Sequence, residues 1–125
     1  MVDINYINPG TPVAGPYSPG VTTGNMIFVS GQGPDPGTTD IKDQTLTAFE
    51  KIKKIIEAAG GRVSNIVKVT VFLKDISMFN KMNMAYKKFF KNNGINEKFP
   101  ARTTVEVSNL PIETMLIEID IIAAI

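Results

Sequence analysis

The sequence predicts an α+β domain in which two amphipathic helices lie against one face of a β-sheet. Two segments, Asp43 to Ala59 and Ser77 to Lys91, repeat their apolar residues every three to four positions, the period of a helix with one buried face. The segments around them are β-branched or alternate apolar with polar residues, the period of a strand. At 125 residues, the chain forms one domain, residues 1–125, and leaves no room for a second.

Val2 to Ile7 alternates and is expected as a short first strand. The Pro- and Gly-punctuated stretch NPGTPVAGPYSPG follows, and then Asn25 to Ser30 (NMIFVS), a compact apolar run expected as a buried strand. After the loop GQGPDPGTT the period changes. Leu46, Phe49, Ile52, Ile55, Ile56 and Ala59 form a stripe, with Glu50, Lys51, Lys53, Lys54 and Glu57 mainly opposite, and Gly60-Gly61 stops the helix. Ile66 to Leu73 (IVKVTVFL) is β-branched and apolar on both faces, hence a central strand. Phe79, Met82, Tyr86, Phe89 and Phe90 form the second helical stripe, which NNGINEKFP ends. Ala101 to Ser108 alternates strictly, a turn spans Asn109 to Glu113, and Met115 to Ala123 is the last strand. The expected order is β-β-α-β-α-β-β.

Two such helices cover one face of a sheet of roughly four to six strands. Ile66 to Leu73 and Met115 to Ile125 are apolar on both faces, so the second face needs another cover. A further copy of the chain is the economical one, and a homo-oligomer is expected.

Composition removes several classes of chemistry. Thirteen basic against twelve acidic residues leave a net charge of +1, no electrostatic reason to expect a nucleic acid or an anionic membrane as partner. The chain has no Cys and no His, so disulfides, thiol nucleophiles and the usual general base are absent. Asp35, Asp40 and Asp43 match no EF-hand spacing, and no metal site is expected. The N-terminus MVDINYINPG shows no secretory signal and no stretch is apolar enough to span a bilayer; a soluble, cytoplasmic protein is expected.

The chain contains 11 Lys and two Arg, Arg62 and Arg102. Arg62 follows the Gly-Gly stop and is expected in solvent. Arg102 opens a strand after Phe99-Pro100-Ala101, where a guanidinium fork suits a carboxylate in a way that Lys does not. The alternative is a structural ion pair with a neighbouring acid or with Glu106, which alternation puts on the same strand face as Arg102 and Thr104. Glu118, flanked by Ile117 and Ile119, is costly unless paired or functional; Asp120 is expected at a rim or in solvent. Tyr17, between two Pro-Gly elements, sits either on a core edge or at a cleft rim. Ser30-Gly31-Gln32-Gly33 lacks the Lys and helix of a phosphate loop, though a Gly31 N–H could serve an oxyanion. The exposed side of the second helix is basic (Lys81, Lys87, Lys88, Lys91), a solvated face.

The string FPARTTVEVSNLP, followed by LIEIDIIA, closely resembles the pattern of the reactive intermediate deaminase (Rid, or YjgF) family. GPYSPGV, NMIFVSGQ, IIEAAGG with IVKVTVFLKD, and FNKMNMAYKKFF resemble it too, in order and over almost the whole chain. The resemblance implies a chorismate-mutase-like fold with a mixed sheet, two helices on one face, and a homotrimer whose sheets form a central barrel. It also implies sites in clefts between subunits and cofactor-free hydrolysis of 2-aminoacrylate, 2-iminopropanoate and 2-iminobutanoate to 2-keto acids and ammonia. Position by position, Arg102 matches the arginine that clamps the substrate carboxylate and Glu118 the acid that positions water. Tyr17, Ser30, Gly31 and Asn83 match other cleft residues, and Thr104 contributes mainly through its backbone.

This sequence departs from the family pattern in two places. Thr104 stands where many members carry Cys, and the loop GQGPDPGTTD looks several residues short. Two other activities stand beside deamination: a ribonuclease or translation-inhibiting RNA binder, and a non-catalytic sensor of small carboxylates.

Overall fold

The computed structural model describes residues 2–125. Six strands form one sheet in the order β1-β2-β3-β6-β4-β5: β1 (Ile4–Ile7), β2 (Gly20–Thr23), β3 (Met26–Gln32), β4 (Ile66–Leu73), β5 (Ala101–Glu106) and β6 (Ile117–Ala124). Two helices, α1 (Ile41–Ala58) and α2 (Phe79–Asn92), pack on one face. Every strand pair is antiparallel except β4 with β5, which α2 joins as a crossover. The α+β class and the mixed sheet are as expected.

One strand is additional. Gly20–Thr23 forms β2, pairing with both β1 and β3, so the order is β-β-β-α-β-α-β-β. Its four residues lie next to the Pro/Gly-rich stretch, too short for a visible period. The β2–β3 turn uses Gly24 at φ +56°, a left-handed conformation natural to glycine. Helix starts shift slightly. Asp40 caps α1, its carboxylate accepting from the Lys42 and Asp43 amides. Asp75 caps a 3₁₀ turn, Ile76–Met78, which precedes α2.

The core lies between helices and sheet. Ile27, Val69, Val71, Leu73, Ile117 and Ile119 face Phe49, Ile52, Ile55, Ile56, Met82 and Phe90, all fully buried. Each such side chain contributes roughly 1.5–3 kcal/mol of transfer free energy. Phe49 joins the helices: it stacks on Phe89 at 4.6 Å and meets Tyr86 and Phe90 edge-on at 5.4 and 5.6 Å. The helix-free face keeps apolar side chains too. Phe28 and Val105 remain 42% and 39% exposed there, with the half-buried Phe72 and Ile122 among their pairing partners.

Two features of the sheet position the site. β5 is an edge strand, and its helix-side flank meets α2. In β3, the register against β6 slips between Val29 and Gln32, so Ser30 and Gly31 form a bulge, a device that re-aims local side chains.

Candidate active site

Arg102 and Thr104 pair with Val69 and Val71 of β4, both buried under the helices, so their side chains enter the seam between β5 and α2. Asn83 and Tyr86, one turn apart on α2, line the same seam. The guanidinium carbon of Arg102 lies 4.7 Å from the centroid of the Tyr86 ring and 5.5 Å from that of Phe79, within cation–π range. It has no acidic partner: among the described residues, the salt bridge present is Lys51 with Asp35 at 3.8 Å. Glu106, the alternative partner, accepts from the Ile76 amide at 2.9 Å instead. The ion-pair alternative does not form. Asn83 Oδ1, the Tyr86 hydroxyl and Thr104 Oγ1 are buried without hydrogen-bond partners, and a cavity of about 370 Å³ opens between Asn83, Tyr86, Phe99 and Arg102.

Glu118 lies on the opposite, helix-free face, since its neighbours Ile117 and Ile119 are in the core. A Cβ added at Gly31 would come within 2.7 Å of Glu118 Oε2, so glycine at the bulge is what lets the carboxylate settle on the backbone. Burial, and then repulsion from Asp120, raise the Glu118 pKa above the ordinary carboxylate value. Asp120 is itself raised by burial, against a Thr70 hydrogen bond and the Lys68 charge. It is half-buried in mid-strand rather than at a rim.

Ser30 Oγ donates to the Ser18 carbonyl at 2.6 Å, and the Ser30 amide donates to Pro19 O at 2.9 Å. These bonds tie the GPYSPG segment to the bulge. Tyr17 then stands 48% exposed at the rim of a cleft of about 440 Å³ shared with Gly31, Met115 and Glu118. Side chains of α1 hold the cleft's far wall. The fully buried Gln44 donates to the Thr38 and Thr114 carbonyls (2.9 and 3.0 Å) and accepts from the Leu116 amide at 2.7 Å. Thr47 Oγ1 accepts from the Asp35 amide, and Lys51 donates to Pro34 O at 3.1 Å.

The chain matches the endoribonuclease L-PSP family model over residues 9–125. It belongs to the Rid (YjgF) family. A RutC family protein of Pyrococcus horikoshii is 49% identical over 115 residues, 87% of this chain and 86% of the relative. The 2-iminobutanoate/2-iminopropanoate deaminase of Escherichia coli is 46% identical over 114 residues, 87% of each chain. Among solved structures, E. coli TdcF with bound serine superposes with a TM-score of 0.88 at 37% identity, covering 97% of this chain and 98% of that one.

The resemblance to the Rid family pointed to seven positions, and the fold sorts them into two groups. Arg102, Asn83 and Thr104 converge on the α2–β5 seam; Tyr17, Ser30, Gly31 and Glu118 gather around the β3 bulge and its cleft. The sheet separates the groups within one chain. Arg62 is exposed, as expected. Sequence reasoning missed Gln44 and Tyr86. Gln44 sits on the α1 stripe three residues after the buried Ile41, a polar residue at an apolar position; Tyr86 reads from its spacing as core alone. Among the described residues, no helix is long and apolar enough to cross a membrane.

Proposed function

We propose that this Rid protein hydrolyses 2-imino acids to 2-keto acids and ammonia, in sites completed between subunits of a homotrimer. The observation that carries the reading is Arg102: a guanidinium fixed between two rings, without an acidic partner, beside unpaired polar atoms. A bidentate fork held in that way is suited to a small carboxylate. The deaminase name of the E. coli relative and the serine bound by TdcF support a ligand of that class.

In the reaction, Arg102 holds the substrate carboxylate and brings the imine carbon, already electrophilic, to an ordered water. Glu118 takes a proton from that water as its oxygen bonds to carbon. That proton passes to the imine nitrogen to complete the carbinolamine. Its hydroxyl proton then moves to the amino group as the C=O bond forms and the C–N bond breaks, and ammonia leaves the 2-keto acid. Burial and the neighbouring Asp120 raise the Glu118 pKa, which makes its carboxylate a better proton acceptor than an ordinary one. An enamine such as 2-aminoacrylate first takes a proton on carbon to become the imine.

Arg102 and Glu118 lie on opposite faces of one sheet, so a second chain is needed to bring one of each together. The exposed apolar side chains Phe28 and Val105 on the helix-free face support such packing. RNA binding finds no support in a net charge of +1.

The test is keto-acid release from imines generated in place by an amino-acid oxidase or a serine dehydratase. The wild-type protein accelerates release. Arg102→Lys keeps the charge and loses the fork, and kcat/KM falls on the order of 100-fold. Equal rates with and without protein would refute the reading.

A further inference from the structure

Tyr86 stands in the Arg102 seam, and neither packing nor the hydrolysis mechanism explains its hydroxyl. The ring is 6% exposed, set edge-on to Phe49 at 5.4 Å and tilted on Phe90 at 4.8 Å. Phenylalanine would fill that volume equally well. The hydroxyl is buried with no hydrogen-bond partner among the described residues, so it carries a desolvation cost for no internal return. Buried hydroxyls retained without a partner point to a group delivered from outside.

The surroundings say which group. Arg102 lies over the face of the same ring, and both residues line the cavity of about 370 Å³. A carboxylate taken in two-point fashion by a guanidinium keeps a lone pair on each oxygen for a further donor. Burial pushes the Tyr86 phenol up to about 12, with the Arg102 charge pulling the other way, so the group is a protonated donor throughout the physiological range. Among the described residues, no carboxylate pairs with Arg102 in the seam, and Glu106 accepts from the Ile76 amide.

We infer that Tyr86 is a substrate-binding residue whose hydroxyl donates to the carboxylate held by Arg102. The inference rests on the carboxylate reading of Arg102 and adds a second donor from α2 to the one from β5. The cation–π contact fixes the guanidinium plane while the hydroxyl at the ring's end reads an oxygen, so one tyrosine both orients the clamp and completes it.

Tyr86→Phe removes only the oxygen. The experiment is calorimetric titration of wild type and Tyr86→Phe with 2-oxobutanoate, a keto acid that needs no turnover, together with a thermal melt of each. The expected result is a Kd weakened about tenfold with a melting temperature unchanged or higher, because an orphan hydroxyl has been removed. Equal affinities with a higher melting temperature would make the hydroxyl a core atom alone and overturn the inference, leaving the Arg102 reading intact. A lower melting temperature with equal affinities would show the hydroxyl satisfied inside the fold and overturn the inference as well. No binding by wild type would overturn the carboxylate reading itself, and this inference with it.

Discussion

The two halves of the site are built by opposite means. The Arg102 half stands on regular elements: a strand residue, a helix face and an aromatic cluster that fixes the rings under the guanidinium. Its polar atoms are left unpaired. The Glu118 half sets strand residues against loops, and side chains of β3 and α1 pin those loops: Ser30 to the Ser18 carbonyl, Gln44 to three backbone groups, Thr47 and Lys51 to the 34–35 segment. A rigid frame leaves donors free to meet a ligand, whereas a loop-built cleft uses its side chains to hold its own shape. The first half is therefore suited to recognition and the second to placing water and a proton.

That contrast can be broken from either side. The largest expected effect is on the proton-handling half. Glu118→Gln lowers the rate of imine hydrolysis on the order of 1,000-fold while leaving the fold intact. Its pH signature separates it from the Arg102 half. The folded-state pKa of Glu118 is raised, so ionising it works against folding: its contribution to stability is fullest in acid and declines as pH rises through the unfolded value near 4.5 toward the higher folded one. Glu118→Gln removes this decline, and chemical denaturation at about pH 4 and about pH 7 measures it. Arg102→Lys leaves the decline in place. If both variants changed the pH dependence alike, the two halves would share one electrostatic unit and the contrast would fail.

A smaller effect tests the pinning. Gln44→Leu leaves two carbonyls and one amide without their partner and is expected to cost about 2–3 kcal/mol of stability, read by urea denaturation. Because the bonds anchor Thr38, Thr114 and Leu116 around the Glu118 cleft, KM for bulkier imines should rise more than affinity for 2-oxobutanoate falls. A uniform loss of both would show that Gln44 supports the whole fold and not the cleft wall.

Most of the architecture was legible because burial writes a period into the chain. Phe49, Ile52, Ile55 and Ile56 mark α1, and the β-branched run at Ile66–Leu73 marks β4. What stayed hidden depended on pairing rather than period. Gly20–Thr23 becomes a strand because β1 and β3 flank it. The parallel β4–β5 contact depends on how α2 crosses over. The candidate site residues came from the motifs FPAR and IEI, but their division into two groups did not: which face each side chain enters is set by register, Arg102 opposite Val69 and Glu118 opposite Phe72. Tyr86 was hidden by its own stripe, where a tyrosine reads as apolar until its hydroxyl is found without a partner.

The central claim is that one chain's Arg102 works with another chain's Glu118. Arg102→Ala and Glu118→Ala are each expected to be inactive. Unfolding the two together and refolding the mixture randomises subunits, and each site then draws its arginine and its glutamate independently. Recovery of about a quarter of wild-type imine hydrolysis is expected from an equal mixture. Activity no greater than that of the two variants refolded separately would contradict the claim.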